Sequence, residues 1–246
     1  MLQAVAQIDL ALIGGTGIGS RLASLGGRAL AQPTPFGILR GKLTEHNGSK
    51  ILLVQRHAAG HKTPPHLVNY RAIATGIKAL GAKLCISSAA VGCLRADWQV
   101  GDLALCTDSL DLSARNITLF DHKVEHTDMT HPFPAAPRVL SIAQSLKIPI
   151  HEQAVYVTNP GPRYETPAEI EQVRRLGGDI VGMTASSEAV AMREAGVPYS
   201  TIALITNHAA GMFDEKLDHF DVVRVMEESG QKLVDIMLAA ITLAQN

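Results

Sequence analysis

The most constraining feature of this 246-residue chain is a series of short apolar runs that end in small or polar residues. Continuous runs of branched apolar residues are typical of strands buried on both faces of a parallel sheet. The predicted strands span 8–13, 50–55, 82–88, 101–106, 153–158, 179–184 and 201–206, and helical patterns lie at 71–80, 138–146, 188–195 and 220–244. This alternation predicts one α/β domain over residues 1–246, with a largely parallel or mixed central sheet flanked by helices in three layers.

Composition excludes several functional classes. The chain is 46% hydrophobic and 18% charged with a net charge of −1, which gives no electrostatic basis for binding nucleic acid or an anionic membrane. No apolar run is long enough to span a bilayer, and the first residues lack a signal-peptide pattern. The three cysteines have no paired spacing, which favours a reduced, cytoplasmic location.

The first predicted strand runs into the glycine-rich segment 14–20. A dinucleotide fingerprint would need a glycine at Ser20 and an acid about twenty residues later, and both are missing. A Walker loop would need a lysine, which is also missing. Two interpretations remain: a loop that binds an oxyanion through backbone N–H groups and the Thr16 hydroxyl, or a plain strand-to-helix turn.

The second predicted strand ends in Arg56 and His57, and an arginine at this position suits a bidentate contact with an oxyanion. His57 and His61 are four residues apart, which on a helix would present two metal ligands on one face. Gly60 and the proline pair 64–65 argue against a helix, and no suitably spaced acid completes a metal site. We therefore expect no metal here.

Two further polar residues follow predicted strands. Asn207 carries an amide, which both donates and accepts hydrogen bonds and can therefore read a polar ring. Glu165 precedes a capping box that begins at Thr166, where a helix N-terminus favours its carboxylate. The long segment 112–137 has no clean period and is either a substrate or subunit-contact loop or a surface excursion. The spacing alone indicates a ligand with an anionic group and a polar ring.

Seven sequence motifs, found in this order along the chain, allow a more specific interpretation. They are 13–17 (IGGTG), 55–57 (QRH), 68–72 (VNYRA), 90–92 (AVG), 161–166 (GPRYET), 181–184 (VGMT) and 206–207 (TN). Together they closely resemble the trimeric purine nucleoside phosphorylase / methylthioadenosine phosphorylase family, from about Ile8 to the last helix. The resemblance implies a homotrimer that cleaves the N-glycosidic bond of a purine nucleoside with phosphate, without a metal or organic cofactor.

The same resemblance implies a role for each motif residue. Asn207 and Glu165 would hold the purine base and serve catalysis, with Tyr164 packed on the base. Met183 would lie along the ribose, and His126 of a neighbouring subunit would cover the 5′ end of the sugar. The implied phosphate-binding residues are Thr16, Arg56, His57, the backbone of Ala90, and Thr184.

Departures from the family pattern refine the expected substrate. Glu165, Asn207 and Ala209 match family members that accept 6-oxopurines rather than adenine. Phe220 aligns with a histidine that binds a 5′-hydroxyl, although His219 is adjacent, and an apolar residue there suits a 5′-methylthio group. The pattern is most similar to the S-methyl-5′-thioinosine phosphorylases, which release hypoxanthine and 5-methylthioribose 1-phosphate. Alternatives are a broader phosphorylase of inosine and guanosine, or a methylthioadenosine phosphorylase.

Two other functional classes stay open. Ala89 replaces a threonine or asparagine that usually helps to bind phosphate, and Ser88 is the candidate for compensating this loss. A weakened phosphate site would fit a nucleoside-binding module without turnover. A metal hydrolase built on His57 and His61 would instead lose its activity in the presence of a chelator and would need no phosphate.

Overall fold

The computed structural model of the protein describes residues 7–213 and 219–245. The strands within this part are β1 (Leu10–Gly14), β2 (Arg28–Thr34), β3 (Gly37–His46), β4 (Ser49–Gln55), β5 (Leu84–Cys93), β6 (Leu103–Asp111), β7 (His151–Thr158), β8 (Ile180–Gly182) and β9 (Tyr199–His208). The helices are α1 (Ile18–Ser24), α2 (Tyr70–Ala79), α3 (Ala136–Ser145), α4 (Pro167–Arg175), α5 (Ala185–Ala195), α6 (His219–Ala239) and α7 (Ile241–Gln245).

In the described residues the strands form one mixed sheet in the order β2-β3-β4-β1-β5-β8-β7-β6-β9. β1 pairs in parallel with β4 and β5, and β5 pairs in parallel with β9. Because β9 also pairs with β6, the strands β5, β8, β7, β6 and β9 close into a ring. The expected α/β class with a mixed central sheet flanked by helices is confirmed.

The hairpin formed by β2 and β3 was not predicted. Its strands pair antiparallel with each other, and β3 continues the sheet next to β4. Exposed and half-buried residues alternate along β2, so it lacks the continuous apolar run of a strand that is covered on both faces. Such a hairpin leaves a weak signal in the sequence.

The start of α4 follows from local chemistry. The predicted capping box is present at α4: the Thr166 hydroxyl accepts from the Glu169 N–H at 3.2 Å, and the Glu169 carboxylate accepts from the Thr166 N–H at 2.7 Å. The predicted helical segment 220–244 is divided between α6 and α7, which are separated at Ala240. Glu165 therefore stands directly before a helix N-terminus, as its sequence position predicts.

The fold brings the ends of distant segments together. The apolar runs of β1, β4, β5 and β9 are almost fully buried and form the centre of the core. Since β1, β4, β5 and β9 run in the same direction, their carboxyl ends meet at one edge of the sheet, where open α/β sheets bind ligands. Among the described helices, none is long and apolar enough to cross a membrane.

Candidate active site

A cavity of about 470 Å³ lies at the carboxyl ends of these strands. This volume is within the range of small-molecule sites. The predicted site residues that line it are Thr16, Arg56, His57, Ala90, Tyr164, Glu165, Met183, Thr184 and Asn207. Residues drawn from positions 16 to 207 therefore surround one space.

Arg56, at the end of β4, is fixed by a buried ion pair. Its Nε donates to Glu188 Oε1 at 2.5 Å and its Nη2 donates to Glu188 Oε2 at 2.9 Å, and both side chains are 1% exposed. Its Nη1 donates to the Ser88 carbonyl at 2.9 Å. The Tyr199 hydroxyl donates to the same Glu188 carboxylate at 2.7 Å. The fork of the guanidinium is thereby locked in one orientation at the cavity wall.

Glu188 compensates the positive charge of Arg56 when no ligand is bound. Burial alone would lower the pKa of Arg56, but the Glu188 carboxylate outweighs this effect and raises the pKa above its ordinary value. Glu188 lies 132 positions from Arg56 in the sequence and was not predicted as a site residue. No local motif signals it, because only the packing of α5 against the sheet brings the two residues together.

His57 is neutral at pH 7. Its Nδ1 lies 2.8 Å from the Thr63 carbonyl, and since a carbonyl can only accept, Nδ1 carries the hydrogen and Nε2 is left as an acceptor. Burial, followed by the positive charge of Arg56, lowers the pKa of His57 to about 4. The ring of His61 meets it edge to face at 4.6 Å. In residues 7–213 and 219–245, no three His, Cys, Asp or Glu side chains form a metal-binding group.

In the glycine-rich loop after β1, one backbone amide is already engaged and Thr16 is the residue that lines the cavity. The Gly15 N–H donates to the Ser88 hydroxyl at 2.9 Å, so it is not available to an anion. A Cβ at Gly15 would lie 2.6 Å from Arg56 Nη1, which explains why this position lacks a side chain. Thr16 lines the cavity, and its hydroxyl lies 3.3 Å from His61 Nε2. Any oxyanion contact from this loop therefore falls to Thr16.

The structure does not support Ser88 as a substitute for the missing hydroxyl at Ala89. Ser88 is fully buried, its hydroxyl is engaged by Gly15, and it does not line the cavity. Ala89 presents only a methyl group to the cavity. Lys62 also lines the cavity, and no carboxylate pairs with it in the part of the chain that the structure describes. Lys62 is therefore a cation that sequence reasoning overlooked.

Near the end of β9, Asn207 lines the same cavity and is held in a defined orientation. Its Nδ2 donates to the His208 carbonyl at 2.9 Å, and its Oδ1 accepts from the Thr206 hydroxyl at 3.0 Å. Because a carbonyl only accepts, the amide atom beside His208 is the nitrogen. One N–H and one oxygen lone pair of this amide remain for a ligand. Burial raises the pKa of the nearby Glu165 carboxyl, which eases its protonation.

Met183 packs closely against the loop that carries Tyr164 and Glu165. Gly161 in this loop has a φ of 59°, and a Cβ there would lie 2.4 Å from Met183 Sδ. Glycine is required at this position both for the backbone conformation and for the close approach. The Tyr164 ring is 37% exposed at the cavity wall. Tyr164 and Met183 thus contribute apolar surface to the cavity that Glu165 and Asn207 also line.

Two predicted residues lie outside the cavity. Phe220 is 83% exposed at the start of α6, and Val222, which is 7% exposed, lines the cavity instead. The expectation that Phe220 faces the sugar is corrected, because position 222 is on the inward side of the helix. The alternative residue, His219, has a side chain outside the described part of the structure. His126 is exposed in the long segment before α3 and does not line this subunit's cavity.

Comparisons with known proteins agree with this arrangement. The family model of the phosphorylase superfamily matches residues 9–242. The chain is 39% identical to a probable S-methyl-5′-thioinosine phosphorylase of Methanopyrus kandleri, over 93% of this chain and 90% of that protein. It is 35% identical to a 6-oxopurine nucleoside phosphorylase of Pyrococcus furiosus, over 95% of this chain and 92% of that protein.

Solved structures give the same answer. Methylthioadenosine phosphorylase from Schistosoma mansoni in complex with adenine superposes with a TM-score of 0.90 and 26% sequence identity, covering 96% of this chain and 92% of that chain. The resemblance deduced from the seven motifs is thereby confirmed over nearly the whole sequence. On its sequence, its fold and the arrangement of its cavity, the chain belongs to the phosphorylase superfamily.

Proposed function

We propose that the protein cleaves the N-glycosidic bond of 6-oxopurine nucleosides with inorganic phosphate, and that S-methyl-5′-thioinosine is its preferred substrate. The products are hypoxanthine and 5-methylthioribose 1-phosphate. One observation carries the proposal: the base-reading pair Glu165 and Asn207 shares a single cavity with the oxyanion-binding Arg56 and with Thr184. A base and a phosphate held there would approach one sugar from its two sides.

Base recognition follows from the donors and acceptors available. Glu165 accepts from N1–H of a 6-oxopurine, and the free N–H of Asn207 serves O6 or N7. Ala209 lines the cavity beside them and presents no acid to a 6-amino group. An adenine base would leave buried polar groups unpaired, at a cost of about 1–3 kcal/mol for each group. Both the Methanopyrus kandleri and the Pyrococcus furiosus relatives are named for 6-oxopurine substrates.

The proposed reaction is a displacement at the anomeric carbon. A phosphate oxygen forms the new bond to C1′ while the bond from C1′ to N9 breaks and its electron pair leaves with the base. The proton that monohydrogen phosphate gives up is transferred through solvent to a nitrogen of the purine, which leaves as neutral hypoxanthine. Arg56, Thr16 and Thr184 position the phosphate, and Asn207 stabilises the negative charge that develops on the purine. We propose that neither a metal nor an organic cofactor takes part, since each bond change is served by a side chain or by phosphate itself.

Val222 supports the preference for a 5′-methylthio group. It replaces Phe220 as the apolar residue that faces the cavity, and an apolar wall buries a methylthio group at little cost but leaves a hydroxyl without a partner. A second candidate is a broader phosphorylase of inosine and guanosine. The name of the Pyrococcus furiosus relative favours it, as does the polar group of His61 in the same lining.

The decisive experiment measures phosphate-dependent release of base from S-methyl-5′-thioinosine, inosine, S-methyl-5′-thioadenosine and adenosine. We expect S-methyl-5′-thioinosine to have the highest kcat/KM of the four nucleosides. Equal or faster turnover of inosine would support the second candidate. Preference for the adenine compounds would refute the roles given to Glu165 and Asn207, and binding without any turnover would indicate a nucleoside-binding module.

We further propose a cytoplasmic homotrimer in which His126 reaches the sugar in a neighbouring subunit. The three cysteines are buried and unpaired, which agrees with a reducing compartment. The exposure of His126 leaves it available to another subunit. Native mass measurement tests the trimer, and His126→Ala should raise the KM for the nucleoside without changing the mass of the assembly.

A further inference from the structure

Arg115 is a half-buried arginine in the long segment between β6 and α3, and it does not line the cavity. Its Nη2 donates to the Met183 carbonyl at 2.7 Å, and its Nη1 donates to the Pro65 carbonyl at 3.0 Å. Met183 and Pro65 both line the cavity. One rigid guanidinium thus bonds to the backbone of two chain segments, distant in the sequence, that line the site.

The contact with Met183 fixes a critical peptide unit. This unit joins Met183, which we assign to the ribose, to Thr184, which we assign to phosphate. In a trans peptide the C=O and N–H groups point in opposite directions, and here the Thr184 N–H donates to the Tyr156 hydroxyl at 3.3 Å. Arg115 and Tyr156 therefore hold the two sides of this unit, so its rotation would displace both residues.

The contact with Pro65 fixes a second segment of the cavity lining. The Tyr70 hydroxyl also donates to the Pro65 carbonyl, at 2.9 Å, and the Arg115 guanidinium lies 5.7 Å from the Tyr70 ring. Pro65 closes the loop that begins at His57 and includes Lys62, and all three residues line the cavity. Anchoring the end of this loop restrains the groups that would meet phosphate.

Arg115 is not committed to an ion pair. No carboxylate lies within 4.0 Å of its guanidinium in residues 7–213 and 219–245, and its Nε is buried without a hydrogen-bond partner. A guanidinium N–H that donates to a carbonyl makes a charge-assisted hydrogen bond, which is stronger than one between neutral groups. The two carbonyl contacts, rather than an ion pair, therefore tie Arg115 to the two lining segments.

We infer that Arg115 is a positioning residue that sets the spacing between the phosphate wall and the ribose wall of the site. The inference rests on the proposed function, because it takes both ligands to bind in this cavity. A planar fork spans two carbonyls at once, whereas a lysine ammonium is a point donor on a flexible stem. Removing the fork should therefore affect both substrates, although Arg115 touches neither.

The test compares Arg115→Lys and Arg115→Ala with a matched control, Arg193→Ala. Arg193 anchors the same long segment by donating to the Asp128 carbonyl at 2.7 and 3.2 Å, but neither residue lines the cavity. We expect both Arg115 variants to lose about 10- to 100-fold in kcat/KM for the nucleoside and for phosphate alike. Arg193→Ala should keep the KM for phosphate within about twofold of the wild type, because the part of the segment that it anchors lies beside His126, which we place against the nucleoside of a neighbouring subunit and not against phosphate.

Chemical rescue separates positioning from a general loss of structure. Millimolar guanidinium chloride should restore part of the activity of Arg115→Ala, because the free ion can occupy the vacated place, and should not activate Arg193→Ala. If Arg115→Ala does not fold, the kinetics of Arg115→Lys alone test the inference. Kinetics like those of the wild type in the Arg115 variants would overturn the inference. A change confined to the KM for phosphate would do the same, because it would indicate a long-range charge effect.

The wild-type enzyme is measured first, which separates this inference from the proposed function. If the wild type turns over no nucleoside, the proposed function fails on its own. Calorimetric binding of S-methyl-5′-thioinosine and of inorganic phosphate to the wild type and to Arg115→Lys then replaces kinetics. Weaker binding of both ligands to the variant would support the proposed role of Arg115, and unchanged binding would contradict it.

Discussion

The buried ion pair of Arg56 and Glu188 leads to the prediction that bound phosphate offsets the loss of stability caused by a mutation of Glu188. Glu188→Gln keeps the size of the side chain but removes the negative charge beside a guanidinium that is 1% exposed. Loss of one partner of a buried ion pair costs about 3–5 kcal/mol, because the other charge is left uncompensated. For a chain of this length, 1 kcal/mol shifts Tm by about 2–4 °C, so we expect Tm to fall by about 6–20 °C.

Inorganic phosphate should reverse much of this loss. In the proposed site a phosphate dianion lies next to Arg56 and supplies the negative charge that the variant lacks. Any ligand that binds only the folded state stabilises it by RT ln(1 + [L]/Kd), which is about 2.7 kcal/mol at a hundredfold excess over Kd. Tighter binding of phosphate to Glu188→Gln would make its thermal shift larger than that of the wild type at the same phosphate concentration.

Thermal and urea unfolding of both proteins, with and without phosphate, provide the measurement. Glu171→Gln is the matched control, since Glu171 pairs with Arg174 and Arg175 on the exposed face of α4. That change should cost less than about 1 kcal/mol and should not alter the response to phosphate. If phosphate stabilises Glu188→Gln no more than it stabilises the wild type, Arg56 does not face bound phosphate and our reasoning about the site is wrong.

Three further predictions test other parts of the site. Asn207→Asp should lower the turnover of 6-oxopurine nucleosides and raise the relative use of 6-aminopurines, and unchanged selectivity would remove Asn207 from base recognition. Because burial and Arg56 lower the pKa of His57 to about 4, the unfolded chain protonates first as the pH falls. The free energy of unfolding should therefore decrease between about pH 6.5 and 4, by up to about 3 kcal/mol from this group, and His57→Asn should flatten that slope in urea titrations. Val222→Asn should reduce kcat/KM for S-methyl-5′-thioinosine about tenfold relative to inosine. Phe220→Ser should leave this ratio unchanged. Equal effects of the two substitutions would indicate that Phe220, like Val222, faces the cavity.

Much of the fold could be predicted from local sequence signals. The buried runs of β1, β4 and β9 are continuous and apolar, and the capping box at Thr166 marks the start of α4 by its own hydrogen bonds. The carboxyl ends of parallel strands meet at one edge whatever the details of packing, so Arg56 and Asn207 could be grouped in advance. These inferences needed only residue type, period and direction.

Features that depend on long-range packing could not be predicted in this way. Glu188 and Arg115 lie in segments without a motif, and their partners are far away in the sequence. Phe220 is apolar but exposed, whereas Val222, Val225 and Met226 form the buried side of α6. The spacing of these three residues is the helical signal that could have identified Val222, because residues three and four positions apart share a helix face.

The closed part of the sheet has a consequence for how the protein behaves in concentrated solution. Within the described residues, each strand of the ring pairs with at least two neighbours, whereas β2 pairs with β3 alone, so the outer side of β2 is open to pairing with another molecule. Along that strand, Arg28 and Pro33 are exposed, and a proline has no N–H to donate. A charge and a missing donor at this border discourage strand-to-strand aggregation while leaving the catalytic edge of the sheet unaltered.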